Sequence, residues 1–174
     1  MYKPKFFSTQ KKCQYILENI LNTEFNASRH DLGYYAEGQD LELDGISDSL
    51  RIAFEYQGGQ HNEYTPRFHH SYKDFLKQKA KDNFKIKLCD KKKIKLVSIF
   101  THDATSDNDL IQNILKKLEA LGINKELMNY NVSLDVYYAH EYPSLYKFED
   151  IVKNNGGKII DVISDKDNHH CATI

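Results

Sequence analysis

Asp44, Glu55 and Gln57 fall within "LELDGISDSLRIAFEYQGGQH", residues 41–61, where acidic and amide side chains interrupt two apolar runs. Carboxylates are depleted in strands, so two of them inside one hairpin-like segment call for a reason. Residues two apart in a strand point the same way. Glu55 and Gln57 therefore share a face with Arg51 and Ala53, opposite Leu50, Ile52, Phe54 and Tyr56. A turn centred near Ser49 makes Asp44 and Glu55 near neighbours across the two strands. Close carboxylates repel unless a cation or a proton sits between them. Mg²⁺ meets that demand, because it takes one or two carboxylates and completes its octahedron with waters and phosphate oxygens. A metal held this way can activate water for phosphodiester hydrolysis. The backbone carbonyl of Tyr56 is a further candidate ligand. Gln57 cannot act as a base, but its amide can orient the attacking water. The competing reading makes the carboxylates a solvated strand face and Gly58 and Gly59 a simple turn.

These residues need a frame. Cys13, Ile16, Leu17, Ile20 and Leu21 recur at helical spacing behind Ser8, which predicts a helix over residues 9–23. Residues 41–46 and 50–57 alternate with period two and predict a hairpin. Tyr72, Phe75, Leu76, Ala80 and Phe84 return to helical spacing, with lysines on the other face. "IKLVSIF", residues 94–100, predicts a buried strand. Ser106 to Asp109 resembles a capping box before the stripe Leu110, Ile111, Ile114, Leu115, Leu118 and Leu121, and Gly122 suits the stop. The order predicts an α/β domain over residues 1–124. An appendage, 125–174, is expected to hold a strand over 132–139, a helix in "SLYKFEDIVKNNGG" and a strand in "KIIDVI". The terminal "CATI" reads as a frayed tail rather than a prenylation box, since no polybasic stretch stands beside it.

The net charge of −1 gives no global attraction to nucleic acid, but the charge is uneven. Residues 31–63 carry eight carboxylates against Arg51, and residues 73–95 carry ten lysines against Asp74, Asp82 and Asp90. Such blocks are either two solvated faces or a metal site beside a phosphate-binding surface. Three widely spaced cysteines, Cys13, Cys89 and Cys171, suggest neither a disulfide framework nor a zinc knuckle. His61, His69 and His70 raise a zinc reading, which the lack of an H-x-x-x-H pair or cysteine partners weighs against. No apolar run spans a bilayer and no signal-peptide pattern begins the chain, so an intracellular protein with no membrane partner is expected, cytoplasmic or in a host cell if viral.

Asp44 followed by Glu55-x-Gln57, on a hairpin after a helix and before a helix and a strand, resembles the PD-(D/E)xK nuclease superfamily. "LELDGISDSLRIAFEYQGGQHN" with "QKAKDNFKIKLC" is similar to a subgroup of viral, phage and intron-type proteins, whose motifs read LELDGY, LAFEYNG-x-QH and a later D-x-x-K. The resemblance runs from Gln10 to Phe100. It implies a restriction-endonuclease-like α/β core with Asp44 and Glu55 as metal carboxylates. Gln57 stands where many members carry the catalytic lysine, a substitution that recurs in active members. Gln60 and His61 match the QH and are implied beside the scissile phosphate. Asp82 and Lys85 match the D-x-x-K, where Lys85 would supply the charge missing at position 57. Glu18 is the candidate for the acidic residue of the early helix, although Gln10 stands nearer to where some members place it. Lys77, Lys81 and Lys85 are expected to meet nucleic acid. "YKFEDIVKNNGGKIIDVIS" resembles the front half of a repeat that accompanies this nuclease, which makes the appendage a DNA contact or a packing element. The function implied is a Mg²⁺-dependent endonuclease on DNA, of homing, restriction or repair type, with Mn²⁺ able to substitute. A homodimer is one assembly to test. Two alternatives stay open: an inactive nucleic-acid-binding protein of the same fold, and a nuclease acting on RNA or branched DNA.

Overall fold

The apolar spacing from Cys13 to Leu21 folds as α1, Thr9–Leu21, and Cys13, Ile16, Leu17, Ile20 and Leu21 are all buried. The computed structural model describes residues 9–28, 34–35, 39–58, 71–141, 143–156, 161–164 and 170–173. Burying each large aliphatic side chain contributes about 1.5–3 kcal/mol, so this one stripe is a sizeable anchor. Asn22, with φ of 47°, ends the helix. The short strand β1, Asn26–Ser28, follows. Two very short strands, β2 (Tyr34–Tyr35) and β3 (Gln39–Asp40), pair with each other.

The predicted hairpin forms from β4, Leu43–Ser47, and β5, Ile52–Gln57, in antiparallel register with Gly45 opposite Phe54 and Ser47 opposite Ile52. Leu50, expected on the core face of the second strand, falls instead in the turn, whose last residue Arg51 has φ of 54°. From β5 the chain crosses through α2, Tyr72–Lys91, to β6, Lys95–Phe100, which pairs parallel to β5. A parallel pair requires such a crossover. The sheet order is β1-β4-β5-β6, a four-stranded mixed sheet in a mixed α/β unit.

Helices cover β5 on both faces. Phe54 meets Phe25 edge to face at 5.8 Å on the side packed by α1. Ala53 turns the other way, into a cluster with Leu41, Ile46, Cys89 and Ile94 beneath α2. Gly45 is required here, because a Cβ at this position would overlap the Phe54 ring and press on Phe25. α3, Asp107–Ala120, starts as predicted at Ser106, whose hydroxyl accepts the Asp109 N–H at 3.1 Å. It stops at Gly122, where φ of 67° suits glycine and the Ile123 N–H reaches back to the Leu118 carbonyl.

The stripe expected on α2 is corrected. Phe75 is buried, but Tyr72, Leu76 and Phe84 are 59%, 48% and 40% exposed. The inward line is Phe75, Asp82, Lys85 and Cys89, so α2 turns charged groups toward the sheet. Hydrophobic spacing could not set this rotation, because the helix is polar overall and the buried partner on β5 is a carboxylate.

Contacts divide the chain into a unit of Thr9–Val132 and a second unit that includes Ser133–Ile174. In the first, Asn129 N–H bonds the Ile20 carbonyl at 2.7 Å, which ties residues past the helical turn Lys125–Leu127 to α1. In the second, the strand expected over 132–139 is absent and α4, Asp135–Glu141, stands there. Ser133 caps it by accepting the Asp135 N–H at 3.1 Å. Leu134, Tyr137 and Tyr138 are buried at helical spacing, which overrides their strand preference. α5, Pro143–Asn154, matches the helix expected there. β7, Asp161–Ser164, pairs antiparallel with β8, His170–Thr173. The expected frayed tail is thus corrected: Cys171 stands opposite Ile163 in a ladder.

Candidate functional site

The hairpin register, carried one step past Gly45 and Phe54, sets Asp44 opposite Glu55 on the face beneath α2. Asp44 is held by backbone: its Oδ2 accepts the Tyr56 N–H at 2.7 Å. A strand residue directs its N–H and its carbonyl to the same neighbour, so the Tyr56 carbonyl also faces the Asp44 side. Gln57 ends β5 half-buried, beside Phe100 of β6 in the parallel ladder, and its backbone carbonyl accepts from the Thr101 hydroxyl at 3.3 Å.

Glu55 is 7% exposed, far more enclosed than a solvated strand face. Lys85 Nζ donates to both of its carboxylate oxygens, at 2.7 and 2.9 Å. Burial pushes the Glu55 carboxyl above its ordinary value, the Lys85 ammonium opposes that rise, and the Asp44 and Asp82 carboxylates add to it. Asp44 and Asp82 thus both bear on Glu55, whose two oxygens the Lys85 ammonium binds. The other buried carboxylate among the described residues, Asp103, has a structural explanation. It accepts the Phe100 N–H at 2.8 Å and pairs with Lys117 at 3.1 Å, which closes the helical turn after β6.

The structure brings together Asp44, Glu55, Lys85 and the Tyr56 backbone, with Asp82 close enough to act electrostatically on Glu55. It gives Glu18 a different setting. The Glu18 Oε1 accepts the Phe25 N–H at 3.0 Å and the Gln14 amide at 3.0 Å, which fastens the turn after α1. Lys77 is exposed and Lys81 half-buried on α2. Gln60 and His61 lie outside the described residues. Lys73 belongs to the lysine block, residues 73–95, read above as either a solvated face or a phosphate-binding surface. Lys73, Lys77, Lys81 and Lys85 recur every four residues and follow one ridge of α2, passing from exposed at Lys73 to enclosed at Lys85.

Among the described residues, no three of His, Cys, Asp and Glu converge as a group that could hold a metal ion. The donor chemistry still suits a hard divalent cation, which needs one or two carboxylates and otherwise takes water. The obstacle is the grip of Lys85 on both oxygens of Glu55. No helix among the described residues is long and apolar enough to cross a membrane. No protein-family model matches the chain, and no curated protein or solved structure matches it either.

Proposed function

We propose that the chain is a Mg²⁺-dependent endodeoxyribonuclease with a PD-(D/E)xK core. The observation that carries this reading is that Asp44, bound to the Tyr56 N–H, and the enclosed Glu55 stand on adjoining strands of the β4–β5 hairpin, with Glu55 gripped by Lys85 at the end of a lysine ridge on α2. Asp44, Glu55 and the Tyr56 carbonyl would hold the cation, with Mn²⁺ able to replace Mg²⁺. The cation supplies Lewis acidity toward a phosphodiester. The Gln57 amide orients the attacking water, and Lys85 neutralises charge on the phosphate. Lys73, Lys77 and Lys81 bind phosphates of the strand leading in. Glu18 has no part in this scheme, because its carboxylate serves the turn after α1. A second copy of the chain would be needed to cut both strands of a duplex in one encounter, and sedimentation with and without DNA tests for it.

The test is cleavage of plasmid, single-stranded and branched DNA, and of RNA, with Mg²⁺ and with Mn²⁺. Cleavage is expected for the wild type and is expected to be lost in Asp44→Ala and in Glu55→Ala. Unchanged cleavage in both variants removes the site. Binding should weaken with salt, and replacing one ridge lysine by Gln should lower the log–log salt slope by about 0.9 on duplex DNA. The second reading is a nucleic-acid-binding protein without cleavage. It is favoured by Gln57 in the lysine position and by the Glu55–Lys85 pair. Binding without cutting in every assay would establish it.

A further inference from the structure

We propose that Lys85 and a divalent cation are alternative counter-ions of Glu55, so that taking up the cation frees Lys85 to meet the phosphate. The inference rests on the nuclease reading above and deepens it by assigning one residue two positions. Its basis is geometric. Both Glu55 oxygens are taken by a single ammonium at 2.7 and 2.9 Å, and the side chains of Glu55 and Lys85 are 10% and 14% exposed. An enclosed carboxylate cannot be left without a cation, because the cost of breaking such a pair exceeds that of any exposed ion pair. It therefore keeps Lys85 until another cation arrives. Asp44 on the adjoining strand β4, close enough to act electrostatically on Glu55, supplies a second hard carboxylate for an ion that prefers more than one.

Lysine suits an exchange of this kind. Its ammonium is a compact charge on a flexible four-carbon stem, so it can leave one acceptor for another without moving the helix, whereas arginine's planar fork would lock onto the carboxylate. The ridge gives the freed ammonium a destination. Lys85 ends the row Lys73, Lys77, Lys81, so a strand lying on that row presents its next phosphate near Lys85. Cation uptake and substrate binding then favour each other. The cation takes Glu55 from Lys85 and the phosphate takes Lys85 from Glu55, so each lowers the cost of the other's binding.

The test uses the wild-type chain, with Lys85 amine reactivity read residue by residue after reductive methylation. In EDTA, Lys85 should label slowly. With saturating Mg²⁺ and no nucleic acid, it should label several-fold faster, while Lys77 on the same helix stays unchanged. In parallel, free Mn²⁺ is counted by electron paramagnetic resonance. Lys85→Met should bind Mn²⁺ at least about tenfold more tightly than the wild type, a control at the exposed Lys125, Lys125→Met, should change little, and Glu55→Gln should lose binding. If Lys85→Met does not fold without metal, recovery of its thermal transition on adding Mn²⁺ reads the same exchange. Lys85 labelling that ignores Mg²⁺, or Mn²⁺ affinity that ignores the loss of Lys85, overturns the proposal. The two readings fail separately. Exchange without cleavage of any nucleic acid ends the nuclease reading alone, and cleavage that depends on Asp44 and Glu55 with unmoved Lys85 labelling ends the exchange alone.

Discussion

At the scale of single residues, the enclosure of Glu55 decides what its partner is worth. An exposed ion pair contributes at most about 1 kcal/mol, but a buried one costs about 3–5 kcal/mol to break. Lys85→Ala should therefore destabilise the chain by about 3 kcal/mol near neutral pH, measured by urea denaturation. That cost should shrink on acidification, because a protonated Glu55 needs no cation. In the wild type the Glu55 carboxyl is raised above its ordinary 4.5 by burial, with Lys85 opposing, so the folded chain holds this proton longer than the unfolded one. Its contribution is full below pH 4.5 and is lost as pH rises through the raised value. Two thiols give an independent check. Burial pushes Cys13 up to about 12 and Cys89 up to about 11, from 9.0. Both should resist alkylation at pH 8 in the folded chain and react once it is unfolded. Above pH 9.0 the unfolded thiols lose their protons first, so stability should fall by about 1.4 kcal/mol per pH unit for each thiol up to its folded value. Asp44 and Glu55 were legible as a pair because period-two alternation and a short turn set who faces whom. The partner of Glu55 was not legible from spacing, since Lys85 lies on a distant helix and entered through a resemblance alone.

At the scale of elements, the hairpin depends on a residue with no side chain. Gly45 sits beside Asp44, and the Phe25–Phe54 contact occupies the space a methyl group would need. Gly45→Ala should cost about 1–3 kcal/mol in urea denaturation, since overpacking forces rings from their wells. It should also weaken any activity that depends on Asp44 by more than its effect on folding, because the strain falls on the adjacent residue. α1 and α3 were legible because each carries an unbroken apolar stripe that can only face inward. α2 was legible as a helix but not in its rotation. Its apolar side chains mark the face around Tyr72 and Leu76, yet the helix buries Phe75 and Cys89 and half-buries Asp82 between them. The sheet decides this, by presenting a carboxylate where a cation must sit. α4 went the other way: β-branched and aromatic residues suggested a strand, while the cap at Ser133 and burial at Leu134, Tyr137 and Tyr138 select a helix.

At the scale of the whole molecule, the unit Thr9–Val132 contains the four-stranded sheet, α1 to α3 and the candidate site. A unit with its own core should fold alone. A fragment spanning Thr9–Val132 is expected to show a single cooperative urea transition by circular dichroism and to keep the slow Lys85 labelling of the full chain. A fragment without a cooperative transition would show that the rest of the chain completes the core.

The sequence by itself determined the local elements and the placing of two carboxylates across one hairpin, because strand alternation, helical periodicity, caps and turns act over a few residues. Tertiary structure alone decided that Glu55 is enclosed rather than solvated, that α2 turns Asp82 and Lys85 inward, and that Glu18 fastens a turn. Those outcomes depend on long-range desolvation and charge pairing, which act between residues far apart in the chain and leave no period in it.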